Sequence, residues 1–85
     1  MSSTRKSIFM IAYFDFEGNI TPVKFKLLNE EQEKITIKIE KIIHKELNRF
    51  AGNNMLIYTC KVCTNNTIKV IELRYELDTC RWYLY

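Results

Sequence analysis

From Met55 to Tyr85, apolar and polar residues alternate through three runs separated by two turn signals, Asn65-Asn66 and Asp78-Thr79. No other feature restricts the fold as much. A period of two marks strands that bury one face, and Asn and Asp tolerate the backbone of tight hairpin turns. Closing each turn over two residues sets Cys60 against Ile71 and Tyr58 against Leu73, then Leu77 against Cys80, Tyr75 against Trp82 and Leu73 against Leu84. All of these pairs are apolar. On the opposite face the same register sets Thr59 against Glu72 and Glu76 against Arg81, the composition of a solvated side. Two independent turns thus agree on one three-stranded meander. The misfit is Val62 opposite Lys69, which points to a bulge or a longer loop near Asn65.

Residues 7–28 read as a further hairpin. A two-residue turn at Gly18-Asn19 pairs Phe14 with Val23, Ala12 with Phe25 and Met10 with Leu27 on an apolar face, and Tyr13 with Lys24, Ile11 with Lys26 and Asp15 with Pro22 on the other. The second strand then has a core face and a basic face, whereas the first is apolar on both. Residues 30–51 carry two periods at once. Ile35, Ile37 and Ile39 alternate with Thr36 and Lys38 as in a strand, yet Ile39, Ile42, Ile43, Leu47 and Phe50 are spaced for one helix face with Gly52 as its stop. Isoleucine at five of the nine positions from 35 to 43 is a poor helix composition. A strand to about His44, followed by an irregular turn through Ala51-Gly52-Asn53-Asn54, is the preferred reading.

Composition points the same way, with 11 Ile, 3 Val, 7 Thr and 11 aromatics against 2 Ala, 2 Gly and 1 Pro. At 85 residues there is room for one hydrophobic core. The expected fold is all-β: a single small antiparallel barrel or half-barrel of five or six strands, SH3-like or OB-like, over residues 7–85, with residues 1–6 a flexible tail. The alternative is an α+β domain in which a helix at about 38–51 packs on the sheet. Met55-Leu-Ile-Tyr-Thr-Cys60, Glu72-Leu-Arg-Tyr-Glu76 and Trp82-Tyr-Leu84, following Ala51-Gly52, resemble a pattern in short uncharacterised bacterial proteins with small all-β barrels. That resemblance covers the stretch from Ala51 onward and implies a fold without any functional residue.

Several chemistries are excluded by what is missing. Two glycines cannot build the phosphate-cradling loops of the Rossmann or Walker kind, which need several closely spaced glycines for backbone approach. The run Ile8–Phe14 behind Arg5 and Lys6 is too short to span a bilayer, and Asp15 and Glu17 follow where a signal peptide would place a small-residue cleavage site. A cytoplasmic protein with no membrane association is expected, so the glycosylation-like tripeptides at Asn19 and Asn65 carry no weight. Three cysteines, an odd number, do not suggest a disulfide framework.

Cys60 and Cys63 have the spacing of a metal pair, and Cys80 and His44 would complete four ligands. Alternation points Cys60 and Cys63 to opposite faces, and the register holds Cys80 roughly 20 Å away along the strands. Cys60 and Cys80 are therefore expected to fill the core, and Cys63 to lie near a hairpin end. His44 has no nucleophile in a recognisable motif beside it, and Glu30, Glu31 and Glu33 lack the spacing of a calcium loop. No catalytic group, metal or cofactor is expected, and the chain reads as a non-enzyme.

The net charge of +3 is mild and spread along the chain. What stands out is Phe9, Ile11 and Tyr13 beside Lys24 and Lys26, more apolar surface than a solvated sheet needs. A covering element or a partner would account for it, and aromatics flanked by lysines on a sheet are what single-strand binders use. A second aromatic pair, Tyr83 and Tyr85, lies near Arg74 and Arg81 on the last strand, an edge that could pair with another chain. The expected role is a protein-binding or assembly module, through another protein or self-association. The alternative is single-stranded nucleic-acid binding through the Tyr13, Lys24 and Lys26 face.

Overall fold

Turn chemistry builds the sheet one hairpin at a time. The computed structural model describes residues 5–50 and 52–85. Its strands are β1 (Lys6–Ser7), β2 (Phe9–Phe14), β3 (Ile20–Leu28), β4 (Lys34–Phe50), β5 (Asn53–Thr64), β6 (Thr67–Glu76) and β7 (Arg81–Leu84). They form one antiparallel sheet in the order β1-β7-β6-β5-β4-β3-β2, curled into a half-barrel. The described residues contain no helix, so none is long and apolar enough to cross a membrane. The α+β alternative is thereby corrected. The described residues form seven strands rather than five or six, because the first segment breaks at Ile8 into β1 and β2.

That break positions everything else. β1 pairs with β7 and β2 with β3, so one continuous segment occupies both edges of the sheet. At the crossing, the Ile8 amide donates to the Trp82 carbonyl at 3.3 Å. Lys6 is thus a strand residue paired with Leu84, which moves the expected tail boundary toward the N-terminus. Residues 1–4 lie outside the described residues. β4 makes the opposite corner: it pairs with β3 through Lys38, then with β5 from Ile39 onward. Its register shifts between Ile39 and Lys41 and again between Ile42 and His44. Each extra residue bends the strand and steps the side-chain phase by one. Ile39 and Ile42 therefore both pack toward the core at a spacing of three, while Ile43 is exposed. The helical spacing in the sequence is thus two bulges in a strand. β4 runs unbroken past His44 to Phe50, which pairs with Asn53 across Gly52 at φ 77°, a hairpin where an irregular turn was expected.

The meander register holds from Met55 to Glu76 and from Arg81 to Leu84, including Cys60↔Ile71, Tyr75↔Trp82 and Leu73↔Leu84, but the expected Leu77–Cys80 pair does not form. Asn65 and Asn66 take φ 49° and 61°, the paired left-handed backbone of a type I′ turn. No bulge is needed: Val62 faces Lys69 and is buried all the same. The Asp78-Thr79 turn is wider than expected. Pairing ends at Glu76↔Arg81, and the Cys80 amide closes the loop onto the Glu76 carbonyl at 2.8 Å. Cys80 sits there at φ 60° and is exposed, so it does not fill the core.

The first hairpin differs more. In place of a two-residue turn, the Asp15 amide donates to the Asn19 carbonyl and the Gly18 amide to the Asp15 carbonyl, both at 3.0 Å. Asp15 Oδ1 accepts the Glu17 and Asn19 amides at 2.9 Å each. The β3–β4 loop repeats this arrangement with Asn29, Glu31 and Glu33, and Gln32 at φ 63° stands where Gly18 stands at 87°. The longer loop slips the register by two, giving Met10↔Phe25, Ile11↔Lys24 and Phe9↔Lys26. A slip of two preserves the faces from Lys24 to Leu27, whereas past the bulge Pro22, expected on the outer face, is buried, and Phe14, expected on the core face, is exposed. Beyond Ile11 a bulge at Val23 leads to Ala12↔Pro22, Tyr13↔Thr21 and Phe14↔Ile20, and proline, lacking an amide donor, belongs beside such a bulge.

The core lies on the concave side. Phe25, Tyr58, Cys60 and Leu73 are fully buried, with Ile20, Tyr75 and Trp82 packed on them. Each such side chain contributes about 1.5–3 kcal/mol by leaving water. Trp82 packs at a tilt on both Tyr58 and Tyr75, with ring centroids 5.4 and 5.0 Å away. The Tyr58 hydroxyl donates to the Ile20 carbonyl at 2.6 Å, so the buried polar group is satisfied and ties β5 to β3. Burial raises the Tyr58 pKa to about 12 and that of Cys60 to about 11.

Candidate functional site

The convex face of β2, β3 and the first half of β4 assembles the expected residues. Strand pairing sets Ile11, Lys24 and Lys38 in one row and Phe9, Lys26 and Thr36 in the next, with Leu28 opposite Lys34 beyond them. Phe9 is 54% exposed, Ile11 49% and Tyr13 59%. No element among the described residues covers this face. The Lys34 ammonium lies 5.1 Å from the centre of the Phe9 ring.

Its electrostatics are unbalanced. Among the described residues none of Lys24, Lys26, Lys34 and Lys38 has a carboxylate within 4.0 Å. Lys24 and Lys38 are direct cross-strand neighbours, an arrangement that costs stability when no counter-charge intervenes. Most carboxylates lie in the loops at the two ends, Asp15 and Glu17 at one and Glu30, Glu31 and Glu33 at the other, while Glu40 is exposed on β4 two residues after Lys38 and forms no ion pair among the described residues. Asp15 is occupied locally: hydrogen bonds from the Asn19 side chain and backbone hold its carboxyl below the usual range.

Lys34 and Lys38 are absent from the site as read from sequence. Their signal was the phase of Ile35, Ile37 and Ile39, which puts both lysines on the polar side of β4. What was missing was the knowledge that this strand lies beside β3.

The residues expected at an open edge have a different fate. β7 is covered by β1, so Tyr83 and Tyr85 do not line an edge. Tyr83 is 5% exposed, beneath the Arg5 guanidinium at 4.1 Å from its ring centre. Arg74 lies 4.0 Å over the Tyr85 ring, and its Nε donates to Glu72 Oε2 at 2.6 Å. Glu76 accepts from Thr79 Oγ1 at 2.6 Å and from Asn53 Nδ2 at 3.3 Å, with Arg5 at 3.9 Å. The Thr79 and Asn53 bonds hold the Glu76 carboxyl below its ordinary range. Arg81 pairs with Glu76 across the strands and stays exposed. Aromatics and arginines here satisfy one another.

The remaining candidates are scattered. Cys63 is exposed next to the β5–β6 turn, Cys60 is buried, and Cys80 borders a cleft of about 370 Å³ lined also by Ile8, Met10 and Trp82. His44 is exposed on β4 opposite Thr59, with Nε2 3.7 Å from Glu46. Among the described residues no three His, Cys, Asp or Glu side chains gather where a metal ion could be held. Comparison with known proteins finds no matching family model, no matching curated protein and no matching solved structure.

Proposed function

We propose that the protein is a small non-enzymatic cytoplasmic binding module, a barrel of the SH3-like or OB-like kind, whose β2–β3–β4 face takes a short stretch of single-stranded nucleic acid. The observation that supports this reading is the set of four lysines without carboxylate partners beside exposed Phe9, Ile11 and Tyr13. Bases stack on rings regardless of sequence, and ammonium groups neutralise the phosphates between them. Stacking contributes about 1–3 kcal/mol per base, and displaced counterions supply the rest.

The acidic loops set the direction of the ligand. A strand lying parallel to β2 would run into Asp15 and Glu17 or into Glu30, Glu31 and Glu33, so the nucleic acid crosses β2, β3 and β4 instead. Three strands spaced by about 4.8 Å span roughly 10 Å, room for only a few nucleotides. Binding is correspondingly weak and strongly salt-dependent.

A labelled single-stranded oligonucleotide titrated at several salt concentrations tests the reading. Neutralising three or four phosphates gives a log–log slope of about −2 to −3. Lys24→Glu with Lys26→Glu flattens that slope, whereas Phe9→Ser with Tyr13→Ser weakens binding and leaves the slope alone. Absence of binding at low salt ends the proposal. A protein partner, the other reading of the sequence, draws support from a different part of the molecule.

A further inference from the structure

The first half of β6 is an open sheet edge. Across the two-residue Asn65-Asn66 turn, Thr64 and Thr67 form the closing pair, which in such hairpins exchanges both backbone hydrogen bonds. Thr67, Lys69 and Ile71 therefore direct their backbone groups to β5, and Ile68, Val70 and Glu72 direct theirs outward. The Glu72 carbonyl agrees with this phase, since it accepts the Tyr85 amide at 3.1 Å. Pairing with β7 begins only at Leu73. The amides and carbonyls of Ile68 and Val70 thus have no strand partner among the described residues. Their side chains are bare as well, 65% and 61% exposed.

We infer that this edge binds an extended segment of another protein that carries an acidic residue between two β-branched apolar ones. Outward-facing backbone donors and acceptors at alternate positions fit only another extended chain, which would gain four hydrogen bonds from Ile68 and Val70. Lys69 selects among extended chains. A second copy in the antiparallel register that satisfies all four groups sets Lys69 against its own symmetry mate, where Cα atoms approach to about 4.5 Å, and like charges so placed repel. An acidic residue at that position is attracted instead, and its apolar neighbours cover Ile68 and Val70. The edge is distinct from the lysine face on β2–β4, and neither proposal depends on the other.

The test uses a fluorescein-labelled peptide, Gly-Ser-Thr-Val-Glu-Val-Thr-Ser, and the same peptide with Lys in place of Glu, followed by anisotropy against the full chain. The Glu peptide binds and the Lys peptide binds at least several-fold more weakly. Val70→Pro removes an amide that faces outward, so it leaves the β5 ladder and the melting temperature unchanged and weakens binding about tenfold. Lys69→Glu keeps every backbone group and reverses the preference between the two peptides, which reports on the edge even if the proline variant folds poorly. Lys24→Glu leaves peptide binding as it was. The inference is overturned if neither peptide binds, if Lys69→Glu leaves the preference unchanged, or if sedimentation reveals a dimer that Val70→Pro dissolves.

Discussion

The two convex faces of this sheet are built from the same ingredients and end in opposite states. On β5–β7, rings and cations close on one another: Arg5 lies over Tyr83, Arg74 over Tyr85, and both arginines reach glutamates. On β2–β4, rings and cations stand apart, with Lys34 near Phe9 and no ion pair to the lysines among the described residues. Two things make the difference. A planar guanidinium can stack on a ring while its edge donates to a carboxylate, whereas an ammonium is a strongly hydrated point charge. And Glu72 and Glu76 sit within reach of arginines on one face, while beside the other most carboxylates lie in loops and Glu40, within β4, pairs with none of the lysines among the described residues. A face is available for a ligand when its charges have not already found each other.

The largest test of that contrast is a matched pair of truncations. Tyr83→Ser removes a buried ring and its arginine cover, and costs about 3 kcal/mol in chemical denaturation. Tyr13→Ser, on the open face, costs less than about 0.5 kcal/mol. Equal losses would mean that the two faces are packed alike.

A smaller effect separates the layers beneath them. Tyr58 and Cys60 are buried on β5, while the inward residues Met10, Ala12 and Phe25 of the first hairpin cannot titrate. Both acids have native pKa values above their unfolded ones, so their contribution is complete below the unfolded values and is lost as pH rises through the native ones, about 11 for Cys60 and about 12 for Tyr58. Denaturation midpoints should fall from about pH 9 upward, by on the order of 1–3 kcal/mol at the alkaline end. Tyr58→Phe should remove much of that slope while losing the 2.6 Å bond to Ile20. A Tyr58→Phe profile as steep as the parent's would place the titration elsewhere.

The smallest effect carries the most information about the open face. Lys38→Glu turns the Lys24–Lys38 neighbours into an opposite-charge pair and should stabilise the fold by about 0.2–1 kcal/mol. It should weaken the oligonucleotide at the same time. A variant that gained stability without losing affinity would show that the lysines do not serve the ligand.

How far all this was legible in the sequence depended on locality. The β5–β6–β7 register followed from alternation and turn residues: the Asn65-Asn66 hairpin leaves no freedom once its faces differ, and the loop after Glu76, though wider than two residues, keeps the expected Glu76↔Arg81 pairing. The first hairpin kept its faces from Lys24 to Leu27 but not its register, since Asp15 rather than Gly18 organises the loop by accepting the Glu17 and Asn19 amides, and the bulge at Val23 then reverses the phase at Pro22. β4 resisted both periods because its bulges act over distance, bending one strand between two neighbours. The same non-locality hid half of the lysine face and misplaced the open edge. Tyr83 and Tyr85 looked exposed until β1 was known to cover β7, while Thr67–Ile71 proved to be an uncovered stretch of β6.

The break at Ile8 has a kinetic meaning. Every hairpin from β2 to β7 can zip from its own turn, but Lys6 must meet Leu84 across nearly the whole described chain. Loop closure on that scale is entropically slow, and its reward is a two-residue ladder. The seam between β1 and β7 is thus the last part of the molecule to form and the first to come undone. Opening it would bare Trp82 to solvent while the meander stays intact, a partial unfolding that the indole's own fluorescence can time.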